Sequence, residues 1–217
     1  MPTNRSYGDA CGIARALDVI GERWALLIVR ELLFGPRRFT DLRRSLPAAS
    51  SNIVADRLRE LERHDVVRRR TLPPPAASSV YELTDHGRDL EPIVLALGGW
   101  GLRFPLPPAP HPLSAVSVLL FLRGSARLDA DAPPATYRLE LDGSVWTVRT
   151  AAGEMQVQPG EPAASDVAVR TSTTTLNALI GDPAALDAAL ADEAVVATGA
   201  EATLRRLLQA TASPGSS

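Results

Sequence analysis

SSNIVADRLRELER, residues 50–63, carries the pattern of a helix of about four turns. Val54, Leu58 and Leu61 stand at i, i+4 and i+7 and make one apolar stripe. Asn52, Ala55, Asp56 and Arg59 fall on the opposite face. Ser50 or Ser51 can cap the helix, because a hydroxyl accepts from the free N–H groups of a first turn. A charged amphipathic helix is often a plain solvated surface, so its neighbours carry the argument.

Upstream, Tyr7 to Gly21 sets Ile13, Leu17 and Ile20 at helical spacing and predicts a first helix. Trp24 to Leu33 is apolar almost all round and predicts a buried one. Gly35-Pro36 ends it. Arg38 to Leu46 places Phe39, Leu42 and Leu46 on one face, and Pro47-Ala48-Ala49 turns the chain into residues 50–63. Helix, short turn and second amphipathic helix outline a helix-turn-helix. Downstream the period shortens. Val66 to Leu72 and Val80 to Leu83 read as two strands, joined through Pro73-Pro74-Pro75, and form a β-hairpin wing. A further helix over 84–104 starts at Thr84 or Asp85, with Leu90, Ile93, Val94, Leu97, Trp100 and Phe104 on its apolar face.

Charge is distributed unevenly. Residues 1–110 hold 16 Arg and 13 acids, net +3, whereas residues 111–217 hold 7 Arg and 12 acids, net −5. Arg37 to Arg70 alone has 10 Arg against 5 acids. Every cation is Arg and none is Lys, which points to a GC-rich genome rather than to phosphate chemistry. The local excess of positive charge is what binding to a polyanion requires. In that reading Asn52 presents its amide to an adenine or a phosphate, and Arg59 reaches a base edge or the backbone. Ser50, Ser51 and Ala55 complete the face, and Asp56 accepts from a cytosine amino group or orients Arg59. Arg37, Arg38 and Thr40 meet phosphates, and Arg68, Arg69 and Arg70 reach the neighbouring groove. For any one of these arginines the competing reading is a solvated charge or an intrahelical pair such as Arg57–Glu60, worth about 0.3 kcal/mol.

Cys11, the run Ile20-Gly21-Glu22-Arg23-Trp24, the stretch Arg30 to Phe39, Asp41-Leu42, Arg57 to Glu62, Tyr81-Glu82-Leu83-Thr84 and Gly87 together resemble the HxlR family of winged helix-turn-helix regulators, relatives of the MarR type. The sequence departs from the family at Ala49, where an Ile-like residue is usual, and at Asp56, where a Gln-like one is. The resemblance implies a transcriptional regulator that binds a near-palindromic double-stranded operator as a homodimer. The first helix and the helix over 84–104 would form the dimer contact, and the recognition helices would sit ~34 Å apart. It also implies an alternative, since the family includes thiol-based sensors with a cysteine at the place of Cys11. A lone cysteine is more often a small buried hydrophobe.

Phe104 to Pro112 has five prolines in nine residues and marks a boundary. The organisation expected is a winged-helix and dimerisation domain over 1–104, a linker over 105–112, an α+β domain over 113–210 and a flexible tail over 211–217. In the second half, Leu113 to Leu122 reads as a short helix. Strands follow around Tyr137 to Leu141, Trp146 and Val148, Met155 and Val157, and Val167 and Val169, expected to be antiparallel in succession. Asp142-Gly143 signals a hairpin. Helical patterns over Thr173–Ile180 and Pro183–Ala191, a strand over Ala194–Thr198 and a helix over Glu201–Leu208 close the domain. The Leu-Asp-Gly…Trp146 hairpin, Asp166-Val-Ala-Val and the final strand-to-helix return resemble the sterol-carrier-protein-like fold. That resemblance implies a pocket for a small hydrophobic effector near Trp146, Val148, Met155 and Val157, with a lipid or acyl carrier as the alternative function. The plainer reading is that these side chains fill a core.

Other classes find little support. His64, His86 and His111 have no Ser-Asp or Cys partner nearby, and GxSxG, P-loop and GxGxxG motifs are absent, so no enzyme is expected. A single Cys and scattered His predict no metal and no cofactor. No apolar run approaches the ~20 residues of a membrane span. The N-terminal segment lacks a signal-peptide core, which predicts a cytoplasmic protein.

Overall fold

Helix α4, Ser51–Arg63, lies where its apolar stripe predicts, with Val54, Leu58 and Leu61 buried and Ser50 Oγ accepting from the Ile53 N–H at 3.3 Å. The computed structural model describes residues 6–73, 77–105 and 113–211. Pro74-Pro75, the linker from 106 to 112 and the tail from 212 onward lie outside the described residues. The chain divides into two compact units, Met1–Pro105 and Leu106–Ser217.

In the first unit, α1 (Gly12–Ile20), α2 (Ala25–Leu32) and α3 (Phe39–Ser45) precede α4. Ile13, Leu17 and Ile20, whose spacing predicts the first helix, all lie within α1. Cys11 caps it, and the preceding residues bind Asp18, through Ser6 Oγ and the Tyr7 N–H, both at 2.9 Å. Trp24 is not helical; at φ 80° it caps α2, with the Arg23 guanidinium over its ring. Ile28, Val29 and Leu32 of α2 meet Leu42, Leu46, Val54, Leu58 and Leu61 in one core. Strands β1 (Val67–Thr71) and β2 (Ser79–Leu83) pair antiparallel from Val67↔Leu83 to Thr71↔Ser79. Arg37 adds a short bridge to Tyr81, with reciprocal N–H···O bonds of 2.9 and 2.8 Å, so the start of the helix-turn-helix is tied to the wing.

The wing closes on Thr84. Its hydroxyl donates to the Asp65 carbonyl and accepts from the Gly87 N–H at 3.0 Å. Gly87 packs so tightly there that a Cβ would collide with the Val66 carbonyl oxygen. The single helix expected over 84–104 is two: α5 (Asp85–Arg88) and α6 (Glu91–Gly101). Pro92 explains the break. It lacks an N–H, and its ring excludes the carbonyl four residues back, at Arg88, where α5 ends. No residue of α6 is buried.

The second unit is α+β. Helix α7 (Ala115–Ser125) leads into β3 (Ala135–Leu141), β4 (Ser144–Ala151), β5 (Glu154–Pro159) and β6 (Val167–Thr171). Helix α8 (Thr173–Gly181), a 3-10 turn, α9 (Leu186–Ala191), β7 (Val195–Gly199) and α10 (Glu201–Gln209) follow. Sheet order is β5-β4-β3-β6-β7. Two hairpins turn on left-handed pairs, Asp142-Gly143 and Ala152-Gly153. The expectation of successive antiparallel strands fails at β6, which runs parallel to β3 with Tyr137↔Val167. The chain leaves edge strand β5 and crosses to the free edge of β3. Two contacts pin the crossing: Arg138 Nε to Glu161 Oε2 at 2.7 Å, and the Thr136 N–H to Asp166 Oδ2 at 2.7 Å. At that edge Val167 and Val169 reach the core, which a place outside exposed β5 does not offer.

Candidate nucleic-acid interface

The outward face of α4 carries Ser51, Asn52 and Arg59 exposed, with Ala55 and Asp56 half-buried between them. Its first-turn N–H groups point out of the helix end, where an anion is favoured. Asp56 Oδ1 accepts from Arg59 Nη2 at 2.5 Å, an i,i+3 pair that lays the guanidinium along the helix. Asp56 therefore orients Arg59, and Asn52 is the exposed amide of the first turn.

Arg43 was not singled out in the sequence, yet it organises the turn. Its guanidinium donates to the Leu46 carbonyl at 3.0 Å, to the Ala49 carbonyl and to Ser51 Oγ at 3.1 Å. It thereby closes the C-terminus of α3 and sets the entry to α4, which suits a cation at a helix C-terminus. Its position among the last-turn arginines of α3 was the available signal. Ala49, whose carbonyl accepts from Arg43, is buried in this turn. Arg44 beside it is well exposed, 3.7 Å from Asp41.

Arg37 Nη2 donates to Ser45 Oγ at 3.2 Å and Arg38 Nε to Ser78 Oγ at 3.1 Å. Thr40 is exposed on the first turn of α3. On the wing, Arg68 Nε and Arg70 Nη2 bind the two oxygens of Glu82 at 2.7 and 3.0 Å. Arg69 points to the other face and meets Ser79 Oγ at 2.5 Å. Burial opposes ionisation of Glu82, but the hydrogen bonds and charges of Arg68 and Arg70 outweigh it and hold its carboxyl below the usual range. Glu82 thus offsets part of the wing's positive charge, a pairing that strand alternation allowed but sequence reading overlooked. Arg37 and Arg38 are brought to the wing through Tyr81 and Ser78. Among the described residues no hydrogen bond or ion pair joins the α4 face to the wing arginines.

Cys11 is exposed, and its Sγ accepts from the Ala14 N–H at 3.4 Å. In the second unit, Trp146 and Val148 are buried on β4 opposite Leu139 and Tyr137. Met155 and Val157 are half-buried on β5. No described helix is long and apolar enough to cross a membrane.

A family profile described as HxlR-like helix-turn-helix matches residues 19–107. The HTH-type transcriptional regulator YvaP of Bacillus subtilis (strain 168) is 38% identical over 86 residues, 40% of this chain and 80% of the relative. YodB, an HTH-type transcriptional regulator of the same organism, is 34% identical over 89 residues, 41% of this chain and 80% of the relative. A solved structure of the redox regulator HypR in its oxidized form is 34% identical, covering 45% of this chain and 100% of that chain, with a TM-score of 0.42.

Proposed function

The chain belongs to the HxlR-like helix-turn-helix family of DNA-binding transcriptional regulators, not enzymes, and from that premise we propose that it binds a near-palindromic operator as a homodimer through α4. The observation that carries this reading is the outward face of α4, with Asn52 and Asp56-oriented Arg59 on it and the helix held to the core by the opposite face. Arg37, Arg38, Thr40, Ser50 and Ser51 position the backbone, and Arg68, Arg69 and Arg70 reach the adjacent groove. The apolar side chains left exposed on α1 and α6, among them Ile13, Leu17, Ile93, Leu97 and Trp100, support a two-fold contact between copies. Asn52→Ala with Arg59→Ala tests the assignment by gel shift: specific binding should vanish while the melting curve is retained. Unchanged specificity would remove α4 from the reading. Affinity should also fall steeply with salt, since phosphate contacts release counterions.

The second unit, with its sheet beneath helices, supports a sterol-carrier-protein-like domain that takes a small hydrophobic effector. A second mode of control has one observation in its favour, the exposure of Cys11 at the start of α1. Peroxide would then change operator affinity in the wild type and not in Cys11→Ser.

A further inference from the structure

The second unit contains a cavity of about 330 Å³ at the end of the β3–β4 pair, beside the C-terminal half of α10. It is not at Trp146. Thr150 lines it, and Trp146 lies four residues further along the same strand face, roughly 13 Å deeper. The cavity's apolar wall comes from Leu128, Pro133, Ala151 and Leu207, while Tyr137, Thr150 and Arg206 gather polar atoms on one side.

Those polar groups form a built arrangement. Tyr137 is buried, and its hydroxyl donates to the Thr203 carbonyl at 3.3 Å. Burial pushes the phenol's pKa up, against the pull of Thr150 and Arg206 on the same oxygen, so the hydroxyl remains a donor at neutral pH. The state of Arg206 is the telling feature. Two of this unit's arginines are occupied, Arg205 by Glu201 and Asp187 and Arg138 by Glu140 and Glu161, and neither lines the cavity. Among the described residues Arg206 and Arg127 form no ion pair with a carboxylate. Arg127 donates to the Gly124 carbonyl at 3.1 Å, and Arg206 lines the cavity beside the Tyr137 hydroxyl. The acid on the lining, Asp129, accepts from the Asp131 N–H at 2.9 Å within its own loop.

We propose that this cavity binds a small organic carboxylate with an apolar body, its anionic end held by Arg206 and its body laid against Leu128, Pro133 and Leu207. A guanidinium provides two parallel donors to a carboxylate, the strong form of the contact. A volume near the lower end of small-molecule pockets, about 300–1,000 Å³, suits a single ring rather than a long acyl chain. The ligand's role as an effector rests on the regulator reading, but its binding does not.

Isothermal titration of the full chain without DNA tests the site with benzoate, its neutral isostere benzamide, dodecanoate and inorganic phosphate. Benzoate should bind, benzamide about tenfold or more weaker, and Arg206→Gln should lose about tenfold or more of the benzoate affinity, as expected for a charge-assisted contact. Thr150→Val should lose less, and Arg170→Gln, on the sheet's other face, should change nothing. The inference is overturned if no probe binds, if benzamide matches benzoate, if folded Arg206→Gln binds benzoate as the wild type does, or if phosphate or dodecanoate binds in benzoate's place. Retained operator binding with no benzoate binding sinks this inference alone. Benzoate binding without any operator binding sinks the regulator reading alone.

Discussion

Replacing Glu82 with Gln removes a negative charge that two wing arginines share. Its carboxylate is buried and accepts from Arg68 Nε at 2.7 Å and from Arg70 Nε and Nη2 at 3.2 and 3.0 Å. A Gln keeps one acceptor oxygen but turns an NH₂ group toward one guanidinium. A charge-assisted hydrogen bond is worth about 1.5–3 kcal/mol and a neutral one about 0.5–1.5. Both arginines are roughly half exposed, so solvent screening cuts the difference to a net loss of about 1 kcal/mol. For a unit near 100 residues that is a fall of roughly 4–8 °C in Tm. The effect must depend on pH. The folded carboxyl titrates below its unfolded value, so its contribution is complete above about pH 4.3 and is lost as pH falls through the lower folded value. Urea denaturation should therefore separate wild type from Glu82→Gln by about 1 kcal/mol at neutral pH, and the gap should close once acid protonates the folded carboxyl. A variant as stable as wild type at neutral pH, or a gap undiminished in acid, would refute the reasoning.

Three further outcomes follow from the packing. Gly87→Ala drives a Cβ into the Val66 carbonyl and should destabilise the first unit by about 1–3 kcal/mol, read by thermal melting; a neutral result would mean the wing base is looser than described. Leu58→Ala, at a site 1% exposed, should cost about 3–5 kcal/mol in chemical denaturation, whereas a loss below about 1 kcal/mol would place α4 outside the core. Leu97→Asp with Trp100→Asp, both on the exposed face of α6, should shift the sedimenting species to monomer, and an unchanged mass would exclude α6 from the dimer contact.

The winged-helix unit was largely legible because its information is local. A period of 3.6 set α4 and its buried stripe, the Ser50 cap followed from one hydroxyl, and Gly35-Pro36 ended the preceding helix. The misreading there was local too: Pro92 splits the helix expected over 84–104. The second unit was harder. Alternation identified β3 through β6 but says nothing about which edges meet, so the parallel β3–β6 pair was out of reach. Trp146 and Val148 have the same alternation whether they line a pocket or fill a core, and they are buried.

The sequence by itself determined most of the elements, the polarity of each face and the confinement of positive charge to Arg37–Arg70, because periodicity and composition are properties of neighbouring residues. Only the tertiary structure decided which charges are already occupied. Glu82 holds Arg68 and Arg70, Arg43 closes the turn before α4, and Arg206 lines a cavity. The physical reason is that an ion pair or a cavity depends on side chains meeting across strands and turns. Arg68 and Glu82 stand 14 positions apart in sequence and 2.7 Å apart in space.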